Sequence, residues 1–225
     1  MLKYLFIASL LLLTSCNATT PSSGSSSNNT KVNPQVLIPS PTYGSGKHTL
    51  TLYADFQCPA CIVFSKLVGP ILEEYANKGY LVITYKQFPL TNIHPNAERD
   101  SVAALCAAEQ GKYMDYKKAL YAMEEAKSGG KVSDEDRVSA AQGILDEANL
   151  RECLKTDKYL PQVRAEMAEG DAAGVGGTPT VFLDGKKLDP AVYRDTKVLR
   201  TILDRLLEVP STSTDGTSTG AQTTK

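Results

Sequence analysis

Two cysteines two residues apart, Cys58-Pro59-Ala60-Cys61, stand where a strand pattern gives way to a helix pattern. The run before them, Leu50 to Phe56, alternates apolar and polar, and the run after them, Ile62 to Tyr75, repeats its apolar residues at helical spacing. Pro59 suits the first helical turn, where its missing N–H has no partner to lose. A thiol at a helix N-terminus meets unpaired amide N–H groups and the positive end of the helix dipole, both of which favour thiolate. Thiolate is the attacking form in disulfide exchange, and a second thiol one turn away can resolve the mixed disulfide. The spacing also fits half of a zinc or copper site, or a structural disulfide. A metal site needs a second ligand pair, however, and Cys106, Cys153, His48 and His94 form none at ligand spacing. No metal and no organic cofactor is expected.

The ends of the chain read as export and tethering. Lys3, the apolar run Leu5 to Leu13 and the close at Leu13-Thr14-Ser15-Cys16 form a signal segment too short to span a bilayer, residues 1–15. Leu13 to Cys16 resembles a bacterial lipobox, which implies lipidation of Cys16; the alternative is an ordinary signal peptide with a chance cysteine. Five cysteines are an awkward number for an exported chain, and four remain once Cys16 carries lipid. Residues 16–46 are polar and rich in Ser, Thr, Asn, Pro and Gly and read as a flexible tether, and residues 210–225 as a disordered tail. The location expected is extracytoplasmic, lipid-anchored to a bacterial membrane on its periplasmic or cell-surface side, where disulfides persist. A formal net charge of −1, from 24 Lys and Arg against 25 Asp and Glu without long blocks, gives no reason to expect nucleic acid.

Between the ends, the pattern is strand (49–56), helix (59–77) and strand (80–88), a βαβ unit with parallel strands. Five helical segments follow between Asn96 and Ala173. Thr178 to Leu183 is a strand again, and Asp184-Gly185 turns it into Lys186 to Leu188. A last amphipathic helix runs from about Asp195 to Leu207.

Taken together these stretches resemble the DsbA-like branch of the thioredoxin superfamily. Asp55-Phe56-Gln57-Cys58-Pro59-Ala60-Cys61 is similar to its active-site segment. His94 to Ala97 with Cys106 to Tyr113 is similar to the start of its helical insert, and Gly174 to Phe182 to its cis-proline loop. The resemblance implies an α/β, thioredoxin-like fold over 47–95 and 174–209, interrupted by an all-helical domain over 96–173. It implies a protein disulfide oxidoreductase in which Cys58 attacks, Cys61 resolves, Pro59 and Ala60 form the active-site dipeptide, and Thr178 and Pro179 position the substrate chain. Partners would be exported cysteine-containing proteins and a membrane redox partner, a quinone-linked oxidase or a carrier of thiol reductant. No dimerisation segment is evident, so a monomer is expected.

The residues leave several points open. The direction of transfer, oxidase against reductase or isomerase, is not written in the sequence, and a binding module without turnover, for metal or for a partner, uses the same motifs. Cys106 and Cys153 form a second pair in the reading that export and relatives with cysteines in the insert favour; two buried free thiols are the alternative. Many relatives carry a buried carboxylate six residues before the attacking cysteine, where this chain has Leu52, so Cys61 must use water, Asp55 or Lys86 for its proton. Pro-Ala in place of the Pro-His of strongly oxidising DsbA implies a less acid Cys58. His94-Pro95 reads as a loop entering a helix, with acid–base work as its other reading, and Tyr113, Tyr116 and Tyr121 read as packing.

Overall fold

A computed structural model describes residues 38–209. The signal segment, Cys16 and the tail lie outside the described residues, as does the tether up to residue 37. The strands β1 (Thr42–Tyr43), β2 (His48–Ala54), β3 (Leu81–Gln87), β4 (Thr180–Leu183) and β5 (Lys186–Lys187) form one sheet in the order β1-β3-β2-β4-β5. Only β2 and β3 run parallel, with Leu50 beside Ile83 and Ala54 beside Gln87, and the other pairs are antiparallel. The alternation of β3 is complete: Leu81, Ile83, Tyr85 and Gln87 are buried, and the residues between them are half-buried.

The segment 59–77, expected as one helix, is two: α1 (Pro59–Leu67) and α2 (Gly69–Asn77). Pro70 has no N–H to continue the ladder, and its ring crowds the preceding turn, so the helix breaks at Val68. Five helices then fill the space between β3 and β4: α3 (Ala97–Glu109), α4 (Tyr113–Lys127), α5 (Asp134–Ala140), α6 (Glu147–Lys155) and α7 (Leu160–Ala172). Ser133 opens α5 with a capping box shared with Asp136. α3 is the hub of this insert. Val102, Ala103, Ala104, Leu105, Cys106 and Ala107 are all within 1% of full burial, and α4, α6 and α7 pack around it. Its alanines let those helices approach closely. Among the described residues, Cys106 and Cys153 are joined in a disulfide tying α3 to α6, with Cα atoms 6.1 Å apart.

The turn at Asp184-Gly185 has φ of 48° and 75°, the left-handed pair that a two-residue hairpin of this hand requires. After it come α8 (Pro190–Arg194), absent from the sequence reading, and α9 (Thr196–Leu206), capped by Asp195. α9 buries Leu199 and Leu203 in the main core with Leu50, Leu72 and Leu81. Each such leucine contributes about 1.5–3 kcal/mol relative to exposure.

One boundary is corrected. The tether was expected to reach residue 46, but residues 38–46 belong to the folded domain. β1 pairs with β3, the Ile38 amide donates to Gln162 Oε1 at 3.2 Å, and Ser40 donates to Glu166 Oε1 at 2.8 Å. Pro and Gly at 39–46 had suggested coil, whereas here they shape an edge strand and its turn. At Gly44, φ is 85° and an added Cβ would lie 2.5 Å from the Ala76 methyl.

Candidate active site

Cys58 is the N-cap of α1, with extended backbone (φ −69°, ψ 120°), and Pro59 follows as the first helical residue. Both thiols are free; Cys58 is 7% exposed and Cys61 is 1% exposed. Their acidities diverge sharply. The Cys58 thiol is pushed down to about 5, chiefly by a hydrogen bond from the Cys61 thiol. The Thr178 side chain and the backbone N–H groups of Cys61 and Ala60 add to that effect, against the opposing cost of burial. Burial pushes the Cys61 thiol well above its ordinary value, and the neighbouring Cys58 sulfur pushes the same way. The two sulfurs are one residue type in two roles: the outer one holds charge, the inner one holds a proton.

The second half of the site arrives from far along the chain. Thr178-Pro179 is a cis peptide bond, and the Thr178 carbonyl accepts from Cys58 Sγ at 3.4 Å. Thr178 Oγ1 is buried and has no partner of ordinary reach, yet its hydroxyl favours both thiolates. The two observations agree if the hydroxyl is aimed at the sulfurs, where a thiolate completes its hydrogen bonding. Tyr193 on α8 fixes this loop. Its hydroxyl donates to the Pro179 carbonyl at 3.1 Å, and its ring meets Phe64 of α1 edge-on at 5.5 Å. Tyr193 was missed in the sequence because α8 was missed.

Beside the sulfurs lies an apolar groove of about 660 Å³, lined by Ala60, Val63, Phe64, Leu67, Pro179 and Tyr193 among others. Val63 and Leu67 are 54% and 59% exposed on its wall, unusual for aliphatic residues on a packed helix.

The two candidates for serving Cys61 separate. Lys86 pairs with Glu169 of α7 at 2.8 Å. Asp55 is fully buried at the site, and its backbone N–H favours the Cys61 thiolate. Its Oδ1 accepts the amides of Gln57 (2.8 Å) and Cys58 (3.1 Å), and its Oδ2 accepts the Leu90 amide (2.8 Å) and His94 Nδ1 (2.7 Å). His94 is thus more than a loop marker. Leu52 lies in the core, so the position six residues before Cys58 carries no carboxylate. Tyr113, Tyr116 and Tyr121 are all buried, and Phe56 packs on the Tyr121 ring at 4.8 Å. Among the described residues, no group of three or more His, Cys, Asp or Glu could hold a metal ion, and no helix is long and apolar enough to cross a membrane.

The chain is similar to several known proteins. Over 140 residues the chain is 30% identical to the Na(+)/H(+) antiporter NhaA 3 of Salinispora tropica, a match covering 62% of this chain and 20% of that protein. The chain therefore spans about a fifth of the length of that relative. It is 22% identical over 160 residues to a probable disulfide bond formation protein D of Bacillus anthracis, covering 69% and 72% of the two chains. In fold, it is similar to oxidised BdbD of Bacillus subtilis, with a TM-score of 0.67 and 16% identity over 75% of this chain and 93% of that one. The thioredoxin-like fold with helices inserted between β3 and β4 is common to both structures. The sequence pattern of the family described as thioredoxin matches residues 40–205, which span every strand and both halves of the site, and the chain belongs to that family.

Proposed function

We propose that the protein is an extracytoplasmic thiol–disulfide oxidoreductase, held to a membrane through lipid on Cys16, that passes disulfides to exported proteins. One observation carries this reading: the divided acidity of Cys58 and Cys61, with the Thr178 carbonyl 3.4 Å from the outer sulfur. In the oxidising direction, a substrate thiolate attacks Cys58 Sγ of the Cys58–Cys61 disulfide. The bond between the two enzyme sulfurs breaks, and Cys61 leaves with the electron pair and takes a proton, as its burial favours. A second substrate thiolate then attacks the substrate sulfur of the mixed disulfide. Cys58 departs as a thiolate that the α1 amides and the Cys61 thiol stabilise. Two substrate thiols have become a disulfide, and the enzyme disulfide has become two thiols.

A leaving group acid at about 5 makes the enzyme disulfide easy to reduce, which supports work as an oxidase. It is less acid than the value of about 3.5 of the most oxidising DsbA proteins, in keeping with Ala60 where they carry histidine. Thr178 and Pro179 present backbone to an extended substrate, and the apolar groove alongside receives its flanking residues. Reoxidation falls to a membrane partner, a quinone-linked oxidase; a carrier of thiol reductant would serve the opposite direction. The name of the Bacillus anthracis relative, a probable disulfide bond formation protein, points the same way.

The test is equilibration of the Cys58–Cys61 pair with glutathione, together with oxidation of a reduced model protein and reduction of insulin. A potential nearer about −120 mV than about −270 mV, with oxidation of the model protein, is expected. A value at the reducing end reverses the direction, and failure of both assays with intact thiols sinks the enzymatic reading.

A further inference from the structure

Asp55 is a buried charge to which the exchange steps above give no part. It follows β2 directly and sits behind the Cys58 turn with no surface of its own. All four hydrogen bonds of its side chain are received: two from amides that shape the turn, Gln57 and Cys58, and two from the loop after β3, Leu90 and His94. Two oxygens accepting four donors suit a carboxylate, because a protonated oxygen would point its own hydrogen at a donor. A fixed negative charge hydrogen-bonded to the Cys58 amide has an electrostatic consequence. In a buried site, like charges oppose one another, so a bare carboxylate works against a thiolate on Cys58.

An imidazolium on His94 would offset that opposition. Its Nδ1 is 2.7 Å from Asp55 Oδ2, and its side chain is 14% exposed, so the ring joins the buried carboxylate to solvent. The other titratable groups around the pair are Cys58 and Cys61 from α1 and Tyr121 from α4. Burial pushes the Tyr121 phenol up, and the charges of Cys61 and Asp55 add to that. None of these is a cation. Among the described residues, the ion pair formed by Asp55 is the one with His94.

We propose that His94, acting through Asp55, is a positioning residue for disulfide exchange: its imidazolium neutralises the carboxylate that fixes the Cys58 turn, so the turn is held without opposing the Cys58 thiolate. The proposal rests on Cys58 being the exchanging sulfur. A purely structural His94 would hold the loop through its hydrogen bond alone, and charge would be irrelevant. The two roles come apart in His94→Asn, whose side-chain amide keeps a donor near the place of Nδ1 and removes the charge.

The experiment follows Cys58 thiolate by ultraviolet absorbance and by iodoacetamide alkylation rate across pH, in the reduced full-length protein. His94→Asn is expected to leave the circular dichroism unchanged and to hold about fivefold less thiolate near pH 5, a displacement of about one unit in the titration. Asp55→Asn removes the opposing charge, and His94→Asn made in that background is expected to change the thiolate fraction little, so the two substitutions couple strongly. A His94→Asn profile superimposed on the wild type overturns the proposal, as does an equal loss with and without Asp55. If Asp55→Asn does not fold, the wild-type and His94→Asn profiles decide alone. Loss of wild-type insulin and model-protein turnover would count against the exchange reading while leaving this alkylation comparison intact.

Discussion

The molecule holds two pairs of cysteines, and they live under opposite rules. Cys106 is mid-helix on the alanine face of α3 and Cys153 lies on α6, and the two are bonded. Cys58 and Cys61 bracket the first turn of α1 and remain thiols. All four are buried to a similar degree, from 1% to 7% exposed. Burial therefore does not separate the working pair from the structural one. Donors do. At Cys58 the α1 amides, a hydroxyl and a second thiol converge on one sulfur. In the middle of α3 the backbone N–H groups are already spent on the helix. A cysteine becomes reactive here by standing where a second thiol, a hydroxyl and unspent backbone amides all have hydrogen bonds left to give.

The sharpest way to break this comparison is at the outer sulfur. Cys58→Ser is expected to abolish disulfide transfer while leaving thermal unfolding in place, and measurable insulin or model-protein turnover would refute the assignment. The insert pair answers in the other currency. Cys106→Ala with Cys153→Ala opens a loop of sequence separation 47, and the loop-closure argument assigns this about 4 kcal/mol of stability. Urea unfolding should register that loss, with Cys58 alkylation at neutral pH retained; a coupled loss of alkylation would mean that the two pairs are not independent.

A smaller effect sits inside the working pair. The leading support for the Cys58 thiolate is the Cys61 thiol, so Cys61→Ala should raise the Cys58 titration from about 5 and slow alkylation at pH 5 about tenfold. An unchanged midpoint would assign the acidity to the helix terminus alone.

The smallest expected change lies deep in the insert. Asp100 is fully buried against Arg137, which donates to its Oδ1 at 2.8 Å, while Asp100 Oδ2 and Glu124 Oε1 have no partners. Burial pushes the Asp100 carboxyl well up, more than the Arg137 charge pulls it down, with Glu124 adding to the rise. A group whose folded value is raised favours folding while it is protonated, so its contribution falls as pH climbs from the unfolded carboxylate range through the folded value. Asp100→Asn keeps the acceptor for Arg137 and supplies a donor towards Glu124. It should flatten stability against pH in that window and add about 1 kcal/mol at neutral pH, the worth of one satisfied buried hydrogen bond. A stability–pH curve parallel to wild type would show that no proton is held there.

Most of what positions the sulfurs was legible in the sequence, because it is local. Alternation in Leu50 to Phe56, Pro59 at a helix start, the Asp184-Gly185 turn and the Ser133 cap each act over a few residues, and each produced its element. What escaped was set by partners distant in the chain. Residues 39–46 have the composition of coil, and only β3 and α7 make them part of a sheet. The break at Gly69-Pro70 was written in the sequence yet hidden by an apolar pattern that runs straight through it. Asp55 and His94 lie 39 residues apart, and nothing in either segment shows that a carboxylate and an imidazole will meet behind the cysteines. Arg137 sits on a helix that opens with three acidic residues, and its burial follows from Asp100, which another helix brings.

The short strand β1 has a directional consequence. It runs against β3, with Thr42 beside Thr84, and the preceding residues Ser40 and Ile38 reach α7 near Gln87, where β3 ends. That is the rim from which β2 leads into Cys58. Any pull on the chain ahead of residue 38 therefore acts at the rim bearing the sulfurs rather than the far one.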